Sequence, residues 1–187
     1  ADAFICDNFY LGGGTALAEF YLHHRLSEDL DFFSEIEFDP QSIFVFLKKI
    51  KGRVGIKKID FQQSFNRNLF FLQLENEIIK TEFTFYPFPR IEKINYIGKL
   101  AVDSLLDIAV NKIFTIYQKP RSRDFIDLYF IIKKMNWDIV DLIKKAKIKF
   151  DWHIDPVQLG SQFMLAGELK DFPKMLLRVK NKIWQDF

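Results

Sequence analysis

Cysteine is almost missing from this chain of 187 residues. Cys6 stands alone, which excludes an intramolecular disulfide and any cysteine-based metal cluster and suits a reducing compartment, the thiol reading as a small buried side chain. Histidine is scarce too. His23 and His24 are adjacent, so on a helix their side chains diverge by about 100°, and His153 lies far downstream, which leaves no zinc-like grouping. No run of about 18 apolar residues is available to cross a membrane, and no basic-then-apolar leader opens the sequence, so a cytoplasmic protein without a membrane partner is expected. Neither sign of charge dominates. With 27 Lys and Arg against 25 Asp and Glu the net charge is +2, which neither demands nor excludes nucleic acid, because a local basic patch operates under a balanced total. Internal repeats and low-complexity tracts are absent as well.

Apolar and aromatic mass is what the chain has. Hydrophobic residues make up 49% and aromatics 17%, enough for the core of one domain or of two small, intimately packed lobes, and the 22 Phe are spread along the chain as core and sheet residues are. Residues 4–11 are apolar and end in three glycines, which reads as a strand entering a turn. From Thr15 to Arg25, Leu17, Phe20, Tyr21 and His24 fall at core-like helical spacing. Residues 29–33 read as a strand, and Asp39-Pro40 reads as the N-cap and first residue of a helix running to about Ile50. Strand-like runs at 53–61, 67–75 and 77–86 follow, the last two joined around Asn76 as a hairpin. Beyond Asp103 the period turns helical, over 103–118, 122–135, 138–147, 156–166 and 171–184. Early strands and late helices predict an α+β protein with a helical C-terminal lobe, divided as 1–98 and 99–187.

Two features carry chemistry. Gly13-Gly14-Thr15 opens the first long amphipathic run, which puts unpaired N–H groups and the positive end of a helix where a triphosphate can bind, with the Thr15 hydroxyl as a further donor. Asp29 and Asp31 are two apart, so on a strand both carboxylates emerge from one face, as a two-metal phosphoryl-transfer site needs. Each has an ordinary counterpart: a glycine turn capped by Thr15, and the solvated face of an alternating strand. The order glycine turn, helix, Asp-x-Asp strand is more specific than either.

That order resembles the AbiEii/AbiGii toxin family of nucleotidyltransferases, within the DNA polymerase β-like superfamily. The family pattern G-G-T-A-L, a helix, then R-x-S-x-D-x-D-F is met by Gly13, Gly14, Thr15, Ala16, Leu17, Arg25, Ser27, Asp29, Asp31 and Phe32. The later D-x-A-x-x-K-like helix and R-x-x-D-x-x-D-L segment resemble Asp107–Lys112 and Arg121–Leu128. The resemblance implies a polymerase-β-like core, a mixed sheet with flanking helices, followed by the helical lobe, with the site in the groove between them. It implies transfer of an NMP from an NTP to an acceptor hydroxyl, on an RNA 3′ end (tRNA included) or a protein side chain, with Mg²⁺ or Mn²⁺ as cofactor. It also implies a toxin of an abortive-infection or toxin–antitoxin system, encoded with an antitoxin. Asp29 and Asp31 then hold metal and act catalytically with Lys112 and Asp127, while Gly13, Gly14, Thr15, Arg25, Ser27 and Lys112 bind the nucleotide.

Other positions stay open. Lys112 falls at the edge of an apolar stripe, between Ile108 and Leu105, while Asp107, Asn111, Thr115 and Gln118 share the opposite, solvent-like face. A lysine so placed needs a counter-charge, either the β/γ-phosphates or Asp127 across the helix hairpin, and Asp127 itself lies between Phe130 and Ile131. The superfamily resemblance implies a third metal-binding carboxylate from a later strand, for which Glu82, alternating with Phe83 and Phe85, is the candidate, although aspartate is more usual there, with Asp60 as its competitor. The lysines at 144, 145, 147 and 149, and at 48, 49, 51, 57 and 58, read as solvated faces or as a track for an RNA backbone. A catalytically weak nucleotide- or RNA-binding module of the same fold is the alternative function.

Overall fold

Asp2 caps the first element of the chain, and in the computed structural model residues 2–187 are described. Its carboxylate accepts from the Phe4 N–H and starts a short helix, α1 (Ala3–Asn8), where the sequence predicts a strand; only Tyr10–Gly12, strand β1, is extended. A brief apolar run has no period long enough to separate helix from strand, and the cap decides it. The helical segment that follows is α2 (Gly13–Leu17), continued by a π-helical turn, Ala18–Leu22, and stopped by His23 in the left-handed conformation. Strand β2 is Leu30–Ser34. Helix α3, Pro40–Val54, is capped by Asp39 as the sequence predicts, and it runs four residues past the expected end because its stop is Gly55, at φ 79°.

Three strands follow: β3 (Lys58–Ser64), β4 (Arg67–Gln73) and β5 (Ile78–Phe85), the last two joined through a tight turn in which the Leu74 N–H donates to the Glu77 carbonyl at 2.9 Å. A short hairpin that the sequence did not announce, β6 (Asn95–Ile97) and β7 (Leu100–Val102), completes a seven-stranded sheet of order β3-β4-β5-β2-β1-β7-β6. Pairing is parallel for β2–β5 and β1–β7 and antiparallel elsewhere, so the sheet is mixed. These strands, with α1 and α3, belong to one compact unit made, among the described residues, of 2–15, 28–89 and 94–103. Its core is a phenylalanine cluster: Phe83 stacks on Phe32 with centroids 5.1 Å apart and meets Phe9 edge-on at 5.2 Å, while Phe44 meets Phe70 at 5.0 Å. Period-2 alternation puts Phe32, Phe83 and Phe70 on this core face and leaves Asp31, Glu82 and Leu69 for the other.

The second unit, residues 16–27, 90–93 and 104–187, is helical. Helices α4 (Leu105–Gln118) and α5 (Ser122–Met135) form a hairpin, followed by α6 (Ile139–Phe150), α7 (Pro156–Met164) and a last short helix, α8 (Asn181–Gln185). Ile108, Ile113, Ile116, Ile126, Ile131, Leu142 and Ile154 are fully buried in it. The helix expected over 171–184 forms only at its end, as α8. Pro173 cannot donate within a helix, and the neighbouring backbone pairs instead with residues 24–26, the Leu26 N–H donating to the Lys174 carbonyl at 2.8 Å and the Leu176 N–H to the His24 carbonyl at 2.8 Å. Asp107 also departs from expectation, since it is wholly buried and not on a solvent face. Its carboxylate accepts from Ser104 Oγ, the Ile91 and Glu92 N–H groups, and Lys149 Nζ at 2.6 Å. Lys149 is thereby removed from the basic surface run. No helix among the described residues is long and apolar enough to cross a membrane.

Candidate active site

Asp31 stands directly opposite Glu82 across the parallel β2–β5 pair, so the two carboxylates project from the same face of the sheet on neighbouring strands. Asp29 immediately precedes β2 and, two residues before Asp31, joins that face; its Oδ2 accepts from Lys80 Nζ at 3.1 Å. Asp60 lies elsewhere, on β3 at the margin of the sheet with β4 between it and β5, where Lys58 at 2.6 Å and Gln73 at 2.6 Å engage it. Of the two candidates for a third carboxylate, Glu82 is therefore the one beside Asp31.

Glu82 is buried, which opposes its ionisation, yet hydrogen bonds from Arg67 and Thr84 outweigh the burial and hold its pKa below the ordinary glutamate value. The Arg67 fork is bidentate, Nε to Oε1 and Nη2 to Oε2 both at 2.6 Å, and the Thr84 hydroxyl adds a bond to Oε1 at 2.8 Å. The same contact raises the pKa of Arg67, with a smaller contribution from the charge of Asp31. Arg67 and Lys80 carry no local signal, because strand register is what brings them to the carboxylates.

The glycine turn closes on these acids. Gly13 has φ 65°, and a Cβ built on it meets Asp31 Oδ2 at 2.5 Å, so the position demands glycine twice, once for conformation and once for the approach of the carboxylate. The Thr15 hydroxyl donates to the backbone carbonyl of Asp29, tying the start of α2 to the entry of β2. Gly13→Ala should therefore destabilise the fold by at least about 1–3 kcal/mol in urea unfolding. Gly52→Ala, in α3 where nothing lies within 4 Å, is the contrasting case and should stabilise by about 0.5–1 kcal/mol.

The remaining predicted residues gather in the helical unit. Lys112 Nζ lies 2.7 Å from Asp124 Oδ1 and 2.7 Å from Asp127 Oδ2. Asp127, wholly buried, also accepts from Arg25 through Nε at 2.7 Å and Nη2 at 2.8 Å, and its Oδ1 lies 2.8 Å from His24 Nε2. Arg121 completes the cluster with Nε 3.1 Å from Asp124. Burial opposes ionisation of both aspartates, but the charge of Lys112, with Arg25 and His24 at Asp127 and with Arg121 at Asp124, pushes both below the usual carboxylate range, Asp127 far below it. For Lys112 burial works downward and the two aspartates more than reverse it. The sequence anticipated a partnership of Lys112 with Asp127; it did not anticipate Asp124 or His24 as members. Arg25 spends its remaining Nη1 on the Leu26 carbonyl at 2.9 Å, and Ser27 is half-buried close by in sequence.

Asp29 and Asp31 offer the hard oxygen donors that Mg²⁺ takes, and that ion uses one or two protein carboxylates with water and substrate phosphates for the rest. The donor chemistry fits. Among the described residues no three His, Cys, Asp or Glu side chains converge as a ready ligand set; Lys80 is seated on Asp29 and Arg67 on Glu82.

A mixed seven-stranded sheet with flanking helices and a helical C-terminal region thus carries the Asp-x-Asp pair behind a glycine turn, the arrangement the resemblance to nucleotidyltransferases leads one to expect. The sequence profile described as "Nucleotidyl transferase AbiEii toxin, Type IV TA system" matches residues 1–186, and the chain belongs to that family. It is 36% identical over 151 residues to the uncharacterized protein aq_aa25 of Aquifex aeolicus (strain VF5), covering 78% of this chain and 68% of that one. Two solved structures from Helicobacter pylori share the fold. JHP933 has a TM-score of 0.58 at 19% identity, over 84% of this chain and 83% of its own. A candidate nucleotidyltransferase has a TM-score of 0.65 at 21% identity, over 97% and 83%.

Proposed function

We propose that the chain moves an NMP from an NTP to an acceptor hydroxyl, on an RNA 3′ end, a tRNA end included, or on a protein side chain, as the toxin of a system that also encodes an antitoxin. The observation that carries this reading is the position of Asp31, next to both Gly13 and Glu82. The acceptor hydroxyl loses its proton to water as its oxygen attacks the α-phosphorus, the bond from that phosphorus to the bridging oxygen breaks, and pyrophosphate leaves with the electron pair. Asp29 and Asp31 would hold Mg²⁺ or Mn²⁺, with Glu82 as third ligand once Arg67 moves off it. The bound metal would polarise the phosphoryl oxygens and lower the pKa of the attacking hydroxyl. Gly13 and Gly14 present backbone N–H groups to the triphosphate. Thr15 and Ser27 complete that lining in the proposal. Lys112 is proposed as the cation for the β/γ-phosphates, which requires its ammonium to leave Asp124 and Asp127. Arg25 and Asp127 support it through their fork.

Incubation with each labelled NTP, Mg²⁺ and either total RNA or total protein tests the reading. Label in one fraction with stoichiometric pyrophosphate identifies the acceptor class, and nucleotide binding without any pyrophosphate release leaves a binding module of the same fold. The third carboxylate has its own test. Glu82→Gln should lower turnover by about 100-fold or more, a loss of the size seen when one transition-state electrostatic contact is removed, while Asp60→Asn stays close to wild type. Activity lost only in the Asp60 variant reverses the assignment.

A further inference from the structure

The three carboxylates assigned to the metal each face a cation from β4 or β5: Lys80 on Asp29, Arg67 on Glu82, and the charge of Arg67 acting on Asp31 as well. The Arg67–Glu82 pair is lopsided in a way that a simple cross-strand brace need not be. Glu82 is buried, with the Thr84 hydroxyl bonded to its Oε1 as well, whereas the Arg67 side chain is 55% exposed. Swinging the half-exposed arginine outward gives up its fork to Glu82, and leaving Glu82 bare beside Asp31 costs the repulsion of two carboxylates on adjacent strands. Only an incoming positive charge balances that cost.

We propose that Arg67 is a displaceable counter-ion: it neutralises Glu82 until a divalent cation reaches the carboxylates, and its freed guanidinium then binds the phosphate oxygens of the nucleotide. This rests on the assignment of Asp29, Asp31 and Glu82 as the metal-binding face. A planar fork suited to a carboxylate is equally suited to a phosphate, so one side chain serves both states without a second cation. Metal binding and arginine release are then linked: whatever loosens Arg67 from Glu82 tightens metal, and the reverse.

The linkage predicts effects of opposite sign from one substitution. Arg67→Met in the full chain should tighten Mn²⁺ binding without nucleotide by about 10-fold, read by electron paramagnetic resonance of free Mn²⁺, because the competing charge is gone. The same variant, saturated with Mn²⁺, should bind a non-hydrolysable NTP analogue about 10–100-fold more weakly. Adding Glu82→Gln to Arg67→Met should abolish the gain in Mn²⁺ affinity. Thermal unfolding checks that each variant is folded, and Arg67→Lys, which keeps a charge but loses the fork, supplies a milder substitution whose metal affinity should lie between the two. Unchanged or weaker Mn²⁺ binding in Arg67→Met, or unchanged analogue affinity, overturns the proposal. Asp31→Asn separates the two levels: if it leaves Mn²⁺ binding intact, the metal-binding face itself is wrong, whereas lost binding there with an inert Arg67→Met rejects the displaceable counter-ion alone.

Discussion

Asp31→Asn should abolish nucleotide transfer, lowering pyrophosphate release by at least about 100-fold, while the melting temperature moves little. The amide keeps the shape that Gly13 accommodates, where the carboxylate oxygen lies 2.5 Å from the position a Cβ on that glycine would take. What it removes is the charge opposite Glu82 on the neighbouring strand. Asp29→Asn should act in the same direction. Its side chain is paired with Lys80 at 3.1 Å in a partly exposed setting, where an ion pair contributes at most about 1 kcal/mol, so stability again changes little. Steady-state pyrophosphate release and thermal unfolding of the two single variants decide the matter. Wild-type turnover in both would remove the Asp-x-Asp assignment, and a loss of activity matched by a collapse in melting temperature would reduce it to a structural role.

How far the sequence reaches depends on the range of the interaction that fixes each element. Asp39-Pro40 and the helical period after residue 103 are local signals, and α3, α4 and α5 begin where those signals place them. The same holds for the Asp-x-Asp strand and for Gly13 at its turn. The two three-residue strands of the β6–β7 hairpin are too short to show a period, and the pairing of β7 beside β1 is made only in the assembled sheet. Asp107 reads as solvent-facing because helical periodicity sees a single helix; Lys149 and the backbone at Ile91 and Glu92 cover that side from distant parts of the chain. Arg67 and Lys80 are invisible for the same reason. Nothing in their neighbourhood distinguishes them from surface cations until the register of β2, β4 and β5 places each on a carboxylate.

The largest effect on stability should come from the cluster around Lys112. Lys112→Met keeps most of the apolar stem and removes the ammonium that lies 2.7 Å from both Asp124 and Asp127. The carboxylates left behind are fully buried, and breaking a buried ion pair from one side costs on the order of 3–5 kcal/mol. Asp127→Asn should be at least as damaging, because it withdraws the counter-charge from Lys112 and from the Arg25 fork together. The double variant Lys112→Met/Asp127→Asn should then lose less than the sum of the singles, since the contact between them is removed only once, with a coupling of about 0.5–3 kcal/mol in urea unfolding. Nucleotide titration of the folded Lys112→Met protein supplies the functional half. A 10–100-fold weaker NTP affinity, corresponding to about 1.5–3 kcal/mol for a charge-assisted contact, is the outcome expected if the ammonium leaves the aspartates to meet phosphate. Unchanged affinity alongside the stability loss and the sub-additive double variant confines Lys112 to holding α4 against α5.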